Sequence, residues 1–502
     1  MEYFLGMDLG TSSLKAVLFD ENFQSVNTVQ IEYDLYQPKN GWSEQNPSDW
    51  IKAVDKVFEE FQKQSPQELS NLISIGLTGQ MHGLVMLDES NQVIRPAILW
   101  NDQRTDKEVE EMNNVMGPEK IISITANPAI TGFTLAKLLW VKNNEPENYN
   151  RCKHILLPKD YIRYYLSGNF ATDVSDASGM QILDVKNRKW SEELCRAFDI
   201  DMSILPELFE SVEKTGTLRK EFIDKYNLPK EVVIGAGAGD NAAAAIGCGV
   251  VNDGSTFTTI GTSGVVFTQS DEMRMDVKGR IHTFCSAVPG TWHVMGVTLA
   301  AGLSVNWYKD NFYKDIDEKE VYKKIEEDLL ASKLGSNNLI YLPYLMGERT
   351  PHRDPFIRAA FLGLSGIHER KDTTRAVIEG VTYSLRDCLS IIRSIGLKVD
   401  NMYLTGGGSN NKTWIQILAD NFDTSIQMIN GEGGTTLGAA ILSSIACGKY
   451  KDLKEVCAKY ISYSDKISQN EDNVKAYTEF YDIYTRAYGA IKDLSRDLLK
   501  IN

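Results

Sequence analysis

The stretch Asp8-Leu9-Gly10-Thr11-Ser12-Ser13 joins two short β-rich runs, Tyr3–Met7 and Leu14–Phe19. A matching unit stands half a chain away, where Ser255–Ile260 and Val265–Gln269 flank Gly261-Thr262-Ser263-Gly264. Each reads as a strand–turn–strand unit with a small, hydroxyl-rich tip. Placing one tip over the other divides the 502 residues evenly. The economical inference is two homologous halves with a cleft between them.

Between and beyond the hairpins, strand and helix patterns alternate. Trp50–Gln64 is amphipathic, with a start signal at Asn46-Pro47-Ser48 and a stop at Ser65-Pro66. Ile73–Thr78 and Gly83–Leu87 read as strands, Glu231–Ala236 as a buried strand, and Asn241–Gly247 as the opening of a small-residue helix. The second half repeats the alternation: a long helix over Thr373–Ile395, a strand at Met402–Thr405, and helices over Trp414–Asn421, Thr436–Ala446 and Tyr477–Leu499. The pattern predicts an α/β fold. The domain boundary is expected in the glycine-rich stretch around 246–254, giving domains 1–247 and 248–502.

Composition narrows the partners. With 68 acidic and 53 basic residues the formal charge is −15, and a generic nucleic-acid binder needs a basic face instead. Seven cysteines at wide spacing, with no CxxC pair, read as reduced thiols in a cytoplasmic protein. Met1–Gly10 carries Glu2 and no cationic segment, unlike a signal peptide. The longest small, apolar segment, Val232–Val251, is broken by Asp240 and Asn241, so no membrane span is expected.

Several motifs carry chemistry, each beside a plainer reading. Two glycine-containing tips facing across a cleft can grip the phosphates of a nucleotide with converging N–H and O–H donors, and Asp8 beside them can hold Mg²⁺ through water. The plainer reading is two ordinary hairpin turns. No GxxxxGK[ST] occurs, which excludes a Walker-type phosphate loop. Asp240 follows Gly235-Ala236-Gly237-Ala238-Gly239 at a strand–helix junction, where a carboxylate can accept a proton from a substrate hydroxyl or simply cap the helix. Gly79-Gln80-Met81-His82-Gly83 offers polar recognition groups or a solvent-exposed turn, and Trp100-Asn101-Asp102-Gln103-Arg104 a polar cluster or a charged surface loop. Thr405-Gly406-Gly407-Gly408 suits a nucleoside lying against backbone, or a flexible turn; Gly431–Gly438 has the same ambiguity.

Taken together, these motifs resemble the FGGY family of carbohydrate kinases over nearly the whole chain. Gly132-Phe133-Thr134-Leu135-Ala136-Lys137 is similar to the first family signature, and Gly363-Leu364-Ser365-Gly366-Ile367 with Arg375–Gly380 to the second. Trp42-Ser43-Glu44-Gln45, Gly79–Gly83 and Leu342–Met346 leading into Gly347-Glu348-Arg349-Thr350-Pro351-His352 resemble the branch that acts on xylulose. The resemblance implies two ribonuclease-H-like domains of the actin/hexokinase ATPase type flanking a central cleft. It implies ATP and Mg²⁺ as cofactors, a small sugar as partner, and phosphorylation of D-xylulose to D-xylulose 5-phosphate. By position, Asp240 is expected as the general base, with Asn241 beside it, and Met81, His82 and Gln80 at the sugar. Asp8 is expected to support Mg-ATP, with Thr11, Ser12, Gly261, Thr262 and Ser263 on the phosphates and Gly407 and Asn411 at the adenosine. The resemblance also admits a homodimer. Alternatives are a kinase of ribulose, glycerol or gluconate, or an actin-like or chaperone-like ATPase with a protein partner.

Overall fold

In the computed structural model, which describes residues 1–431 and 433–501, the chain builds two mixed sheets by the same recipe. Glu432, in the second glycine-rich stretch, and the terminal Asn502 lie outside the described residues. In the first sheet, β1 (Tyr3–Leu9), β2 (Ser13–Phe19) and β3 (Ser25–Glu32) form an antiparallel meander. The chain then crosses through helix α1 (Pro47–Gln64) to β4 (Leu72–Gly79), which pairs parallel to β1. With β5 (Lys214–Thr217) and β6 (Val233–Gly235) the order is β5-β6-β4-β1-β2-β3, and Ala238–Gly239 pairs onto the end of β4.

Helix α2 (Asp240–Gly247) leads into the second sheet, made of β7 (Ser255–Ile260), β8 (Gly264–Ser270), β9 (His282–Cys285) and β10 (Trp292–Thr298). Beyond α3 (Arg370–Ser394) come β11 (Asn401–Gly406) and β12 (Ile426–Met428), in the order β9-β10-β8-β7-β11-β12. Here β7 pairs antiparallel with β8 and parallel with β11, as β1 does with β2 and β4. The hairpin repeat seen in the sequence is therefore the visible part of a whole-sheet repeat.

Local rules explain the elements. At α1, the Asn46 side chain accepts from the Ser48 N–H and Pro47 occupies the first turn, where a missing N–H costs nothing. Its Trp50, Val54, Val57, Phe58 and Phe61 recur at helical spacing and bury against the first sheet.

The halves exchange helices. Helix α4 (Thr435–Ala446), which follows the second sheet, lies on the first: a Cβ at Gly76 of β4 would stand 1.8 Å from the Ala439 carbonyl oxygen. Helix α2, which follows the first sheet, sends Ala245 into a core cluster with Phe257 and Phe267 of the second. The two helices cross so closely that a Cβ at Gly438 would stand 1.9 Å from the carbonyl oxygen of Ala243. Glycine is required there by contact rather than by dihedral angle. All seven cysteines are free thiols, and no described helix is long and apolar enough to cross a membrane.

Candidate active site

Three cavities run through the cleft and share walls. One of about 370 Å³ is lined by Met81, His82, Trp100, Phe133, His282 and Arg349, and reaches Asp240, Asn241, Gly261 and Ser263. A second, about 580 Å³, shares Asp240 and Asn241 and continues past Lys15, Thr405 and the turn Gly433-Gly434-Thr435. The third, about 920 Å³, meets the first at Gly261 and is lined by Gly302, Tyr322, Gly407, Gly408, Asn411 and Trp414. The first has the size of a small sugar, the second is a polar channel with a cation at its wall, and the third has room for a nucleoside.

Asp240 stands where the first two meet. It is the first residue of α2 and Gly239 is the cap, so the N-cap alternative does not apply to it. Its Oδ1 accepts from the Asn241 N–H at 2.7 Å and from Asn241 Nδ2 at 2.9 Å, which fixes the carboxylate. Burial, and then the negative charge of Asp8, push its pKa up to about 7 despite those bonds. Asp8, near the end of β1, receives the Thr435 hydroxyl on Oδ2 at 2.6 Å and faces Lys15 across the hairpin. Burial raises the Asp8 pKa, while Thr435 and Lys15 pull it down. Among the described residues no group of three or more His, Cys, Asp or Glu is placed to cage a metal. The donor set suits a hard cation carried mostly by phosphate and water, with Oδ1 of Asp8, which no described donor reaches, as the protein's contribution.

The Gln80-Met81-His82 turn is buried rather than exposed, apart from a half-buried His82. Met81 packs on Gly239, just before Asp240, and His82 sits at positive φ with Nδ1 3.1 Å from the Gly179 carbonyl. Gln80 is not among the residues that line the sugar-sized cavity. It donates to Gln45 Oε1 at 2.9 Å and accepts from the Thr11 hydroxyl at 3.2 Å, so it braces the first hairpin tip. Gln45 adds a 2.6 Å bond to the Thr11 carbonyl. The Trp100–Arg104 segment is a built element: Arg104 pairs with buried Asp102 and with Glu44, and Trp100 Nε1 donates to the Thr11 hydroxyl at 3.0 Å.

The hairpin tips differ in placement. Gly261 and Ser263 line the sugar-sized cavity, and the Thr262 carbonyl accepts from the N–H groups of Ala301 and Leu303 at the next helix start. The Thr11 hydroxyl is engaged as described, and Ser12 lines a separate groove with Tyr33, Asp34 and Lys52. Gly407 and Asn411 both line the nucleoside-sized cavity, where Asn411 also caps the following helix by accepting from Trp414. Lys15 and His282 carry no signal in the sequence, whereas Trp100, Thr435 and Arg349 lie in stretches that the sequence singles out without naming them as site residues. The signals are the Trp100–Arg104 cluster, the Gly431–Gly438 stretch and the Gly347–His352 motif.

Behind Asp240 lies a fully buried ionic cluster. Lys159 bridges Asp160 at 2.6 Å and Asp173 at 2.8 Å, and Arg163 pairs with Asp160. Arg163 also donates to the Ala236 carbonyl, and the Ser175 hydroxyl, held by Asp173, accepts from the Gly239 N–H at 3.2 Å. The strand leading to Asp240 is thus tied down by charge-assisted bonds.

A model of the N-terminal domain of the FGGY family of carbohydrate kinases matches residues 3–247, and one of its C-terminal domain matches residues 257–447. The chain belongs to this family. The FGGY chain is 41% identical over 504 residues to a xylulose kinase of Lactococcus lactis subsp. lactis, covering 100% of this chain and 99% of that one. It superposes on a crystal structure of a "xyloylose kinase" from Brucella ovis with a TM-score of 0.91 at 37% identity, covering 98% and 100% of the two chains. A gluconate kinase from Lactobacillus acidophilus gives the same TM-score, 0.91, at 27% identity over 98% of both chains, so the shape of the fold does not select the sugar. Membership makes this FGGY protein a carbohydrate kinase with the two-domain fold of actin- and hexokinase-like ATPases, and sets aside an ATPase acting only on a protein partner.

Proposed function

We propose that this FGGY kinase transfers the γ-phosphoryl group of ATP to the C5 hydroxyl of D-xylulose, with Asp240 as general base. The observation that carries the reading is the position of Asp240 on the shared wall of a sugar-sized cavity and a polar channel. The 41% identical xylulose kinase, aligned end to end, supports the choice of sugar.

Asp240 accepts the proton of the C5 hydroxyl as that oxygen bonds to the γ-phosphorus. The bond from the γ-phosphorus to the bridging oxygen breaks, and ADP leaves. The Asn241 bonds hold the accepting carboxylate in place, and a pKa near 7 lets it take and release the proton at neutral pH. Lys15 and the Gly261–Ser263 tip neutralise and position the transferring group, while Gly407 and Asn411 flank the nucleoside. Mg²⁺ held near Asp8 would supply charge neutralisation. Approach of the two halves excludes water, which otherwise competes as acceptor. A cytoplasmic location and a homodimer complete the reading, the latter checked by sedimentation.

The test is Asp240→Ala assayed over a panel of D-xylulose, D-ribulose, glycerol and D-gluconate. The variant is expected to bind nucleotide like the parent and to lose about 10³-fold or more in turnover. Near-parental turnover, or a parent enzyme preferring another acceptor of the panel, defeats the proposal.

A further inference from the structure

Arg349 enters the sugar-sized cavity from the second half with no role yet assigned. It follows Glu348, whose buried carboxylate accepts from the Thr298 hydroxyl at 2.6 Å, the Leu299 N–H at 3.0 Å and the Arg349 N–H at 2.8 Å. The backbone is therefore fixed. The guanidinium makes no hydrogen bond to any described residue, although desolvation weakens its hold on its proton. A guanidinium offers five donors and no acceptor, and this half-buried one keeps its donors open to a ligand that enters the cavity.

The hydrogen-bond inventory of the cavity shows what that ligand lacks. His82 Nδ1 faces the Gly179 carbonyl, which only accepts, so Nδ1 carries the hydrogen and Nε2 is a lone pair. His282 Nδ1 lies 2.9 Å from Asn127 Oδ1. The Asn127 amide nitrogen donates to the carbonyls of Thr125 and Thr283, both at 2.8 Å, so its oxygen is the acceptor and His282 Nε2 is also a lone pair. Burial and the charge of Arg349 keep both imidazoles neutral, His282 down to about 3. Ionised Asp240 only accepts and the Trp100 N–H is given to Thr11, while Asn241 gives one of its two amide N–H groups to Asp240 and keeps an acceptor oxygen, and the hydroxyls of Thr259 and Ser263 can both donate and accept. Arg349 is the one lining side chain of this set with free donors and nothing to accept with.

A ketopentose closes its five-membered ring through O5, the oxygen to be phosphorylated. The reacting form is therefore the open chain, whose C2 carbonyl is its single oxygen without a hydrogen. We infer that Arg349 donates to this keto oxygen and so makes the pocket select an open-chain ketose over the matching pentitol. This inference rests on the acceptor being a ketopentose. The hydroxyls of the sugar satisfy the imidazole lone pairs and Asp240; the carbonyl, which only accepts, is matched by the guanidinium, which only donates. A pentitol carries a hydroxyl at C2 that can donate elsewhere, so it depends less on Arg349.

The experiment compares Arg349→Met and Arg349→Lys in the full chain, reading KM and kcat for D-xylulose, the inhibition constant of xylitol, turnover of D-gluconate, and sugar-independent ATP hydrolysis as a check on folding. Arg349→Met is expected to raise the D-xylulose KM about 30-fold and to change xylitol inhibition less than about threefold, while Arg349→Lys stays within about fivefold of the parent for the ketose. An equal loss for ketose and pentitol, an unchanged D-xylulose KM, or a loss confined to gluconate, as expected for a guanidinium that pairs a carboxylate, overturns it. Failure of Asp240 as base appears instead as retained turnover in Asp240→Ala and leaves the ketose-to-pentitol ratio untouched, so the two readings fail separately.

Discussion

Replacing Gly438 by alanine tests how tightly the crossed helices fix the reaction geometry. The new Cβ would stand 1.9 Å from the Ala243 carbonyl oxygen, against the 3.4 Å at which ordinary contact begins. That neighbour is backbone, so no side chain can swing away. Helices α2 and α4 must part by roughly 1.5 Å, at an overpacking cost of about 1–3 kcal/mol. The separation acts on chemistry because Asp240 is the first residue of α2 and Thr435, the partner of Asp8, is the first of α4. A misplacement of about 1 Å between reacting groups costs on the order of 10²-fold. In a coupled ADP-release assay the Gly438→Ala enzyme should lose about 100-fold in kcat/KM, with a lower melting midpoint. Gly489, in the C-terminal helix, is the control, because a Cβ there would meet nothing within 4 Å: Gly489→Ala should keep full activity and gain about 0.5–1 kcal/mol. A Gly438→Ala enzyme with parental kcat/KM and melting would refute the argument that this contact sets the distance between the two carboxylates.

Two further predictions concern ionisation and the buried cluster. With Asp240 titrating at about 7, kcat/KM should rise about tenfold from pH 6 to pH 8, and Asp8→Asn should move that rise to lower pH by removing the like charge. The same shift has a sign for stability: the folded state holds the proton more tightly than the unfolded one, so ionisation of Asp240 opposes folding increasingly from about pH 4 to 7. Asp240→Asn should therefore raise the melting midpoint more at pH 8 than at pH 5, and the reverse order would contradict the assignment. Arg163→Met leaves Asp160 to Lys159 alone and frees the Ala236 carbonyl, so a loss of about 3–5 kcal/mol is expected by denaturant titration; an unchanged midpoint would show the cluster to be dispensable.

Much of the architecture is legible in the sequence because it is local. The ends of Ser255–Ile260 follow from its β-rich run and the glycine tip, and the start of α1 from Asn46 and Pro47. The long helix expected over Thr373–Ile395 begins earlier, at Arg370, because Glu369 and Asp372 form a reciprocal cap that hydrophobic periodicity does not register. The candidate site is legible where a residue type announces chemistry, as at Asp240, whereas His82 enters it only through the family resemblance. It is hidden where function comes from distant partners: Thr435 meets Asp8 from the far end of the chain, and Lys15 sits opposite Asp8 only through strand register. Gln80, expected next to the sugar contacts, gives its amide to Gln45 and Thr11, a use that its residue type does not announce.

The swapped helices make the two lobes mutually dependent. A gene cut after Gly247 would release a first fragment whose sheet lacks its cover of Leu437, Ala440 and Ile441, and a second fragment missing Ala245 from its core. Neither piece would be a self-sufficient protein, yet co-expressed they should find each other. An ancestral duplication that began as two associating copies would leave this kind of interlock, in which fusion of the chains followed, rather than created, the embrace.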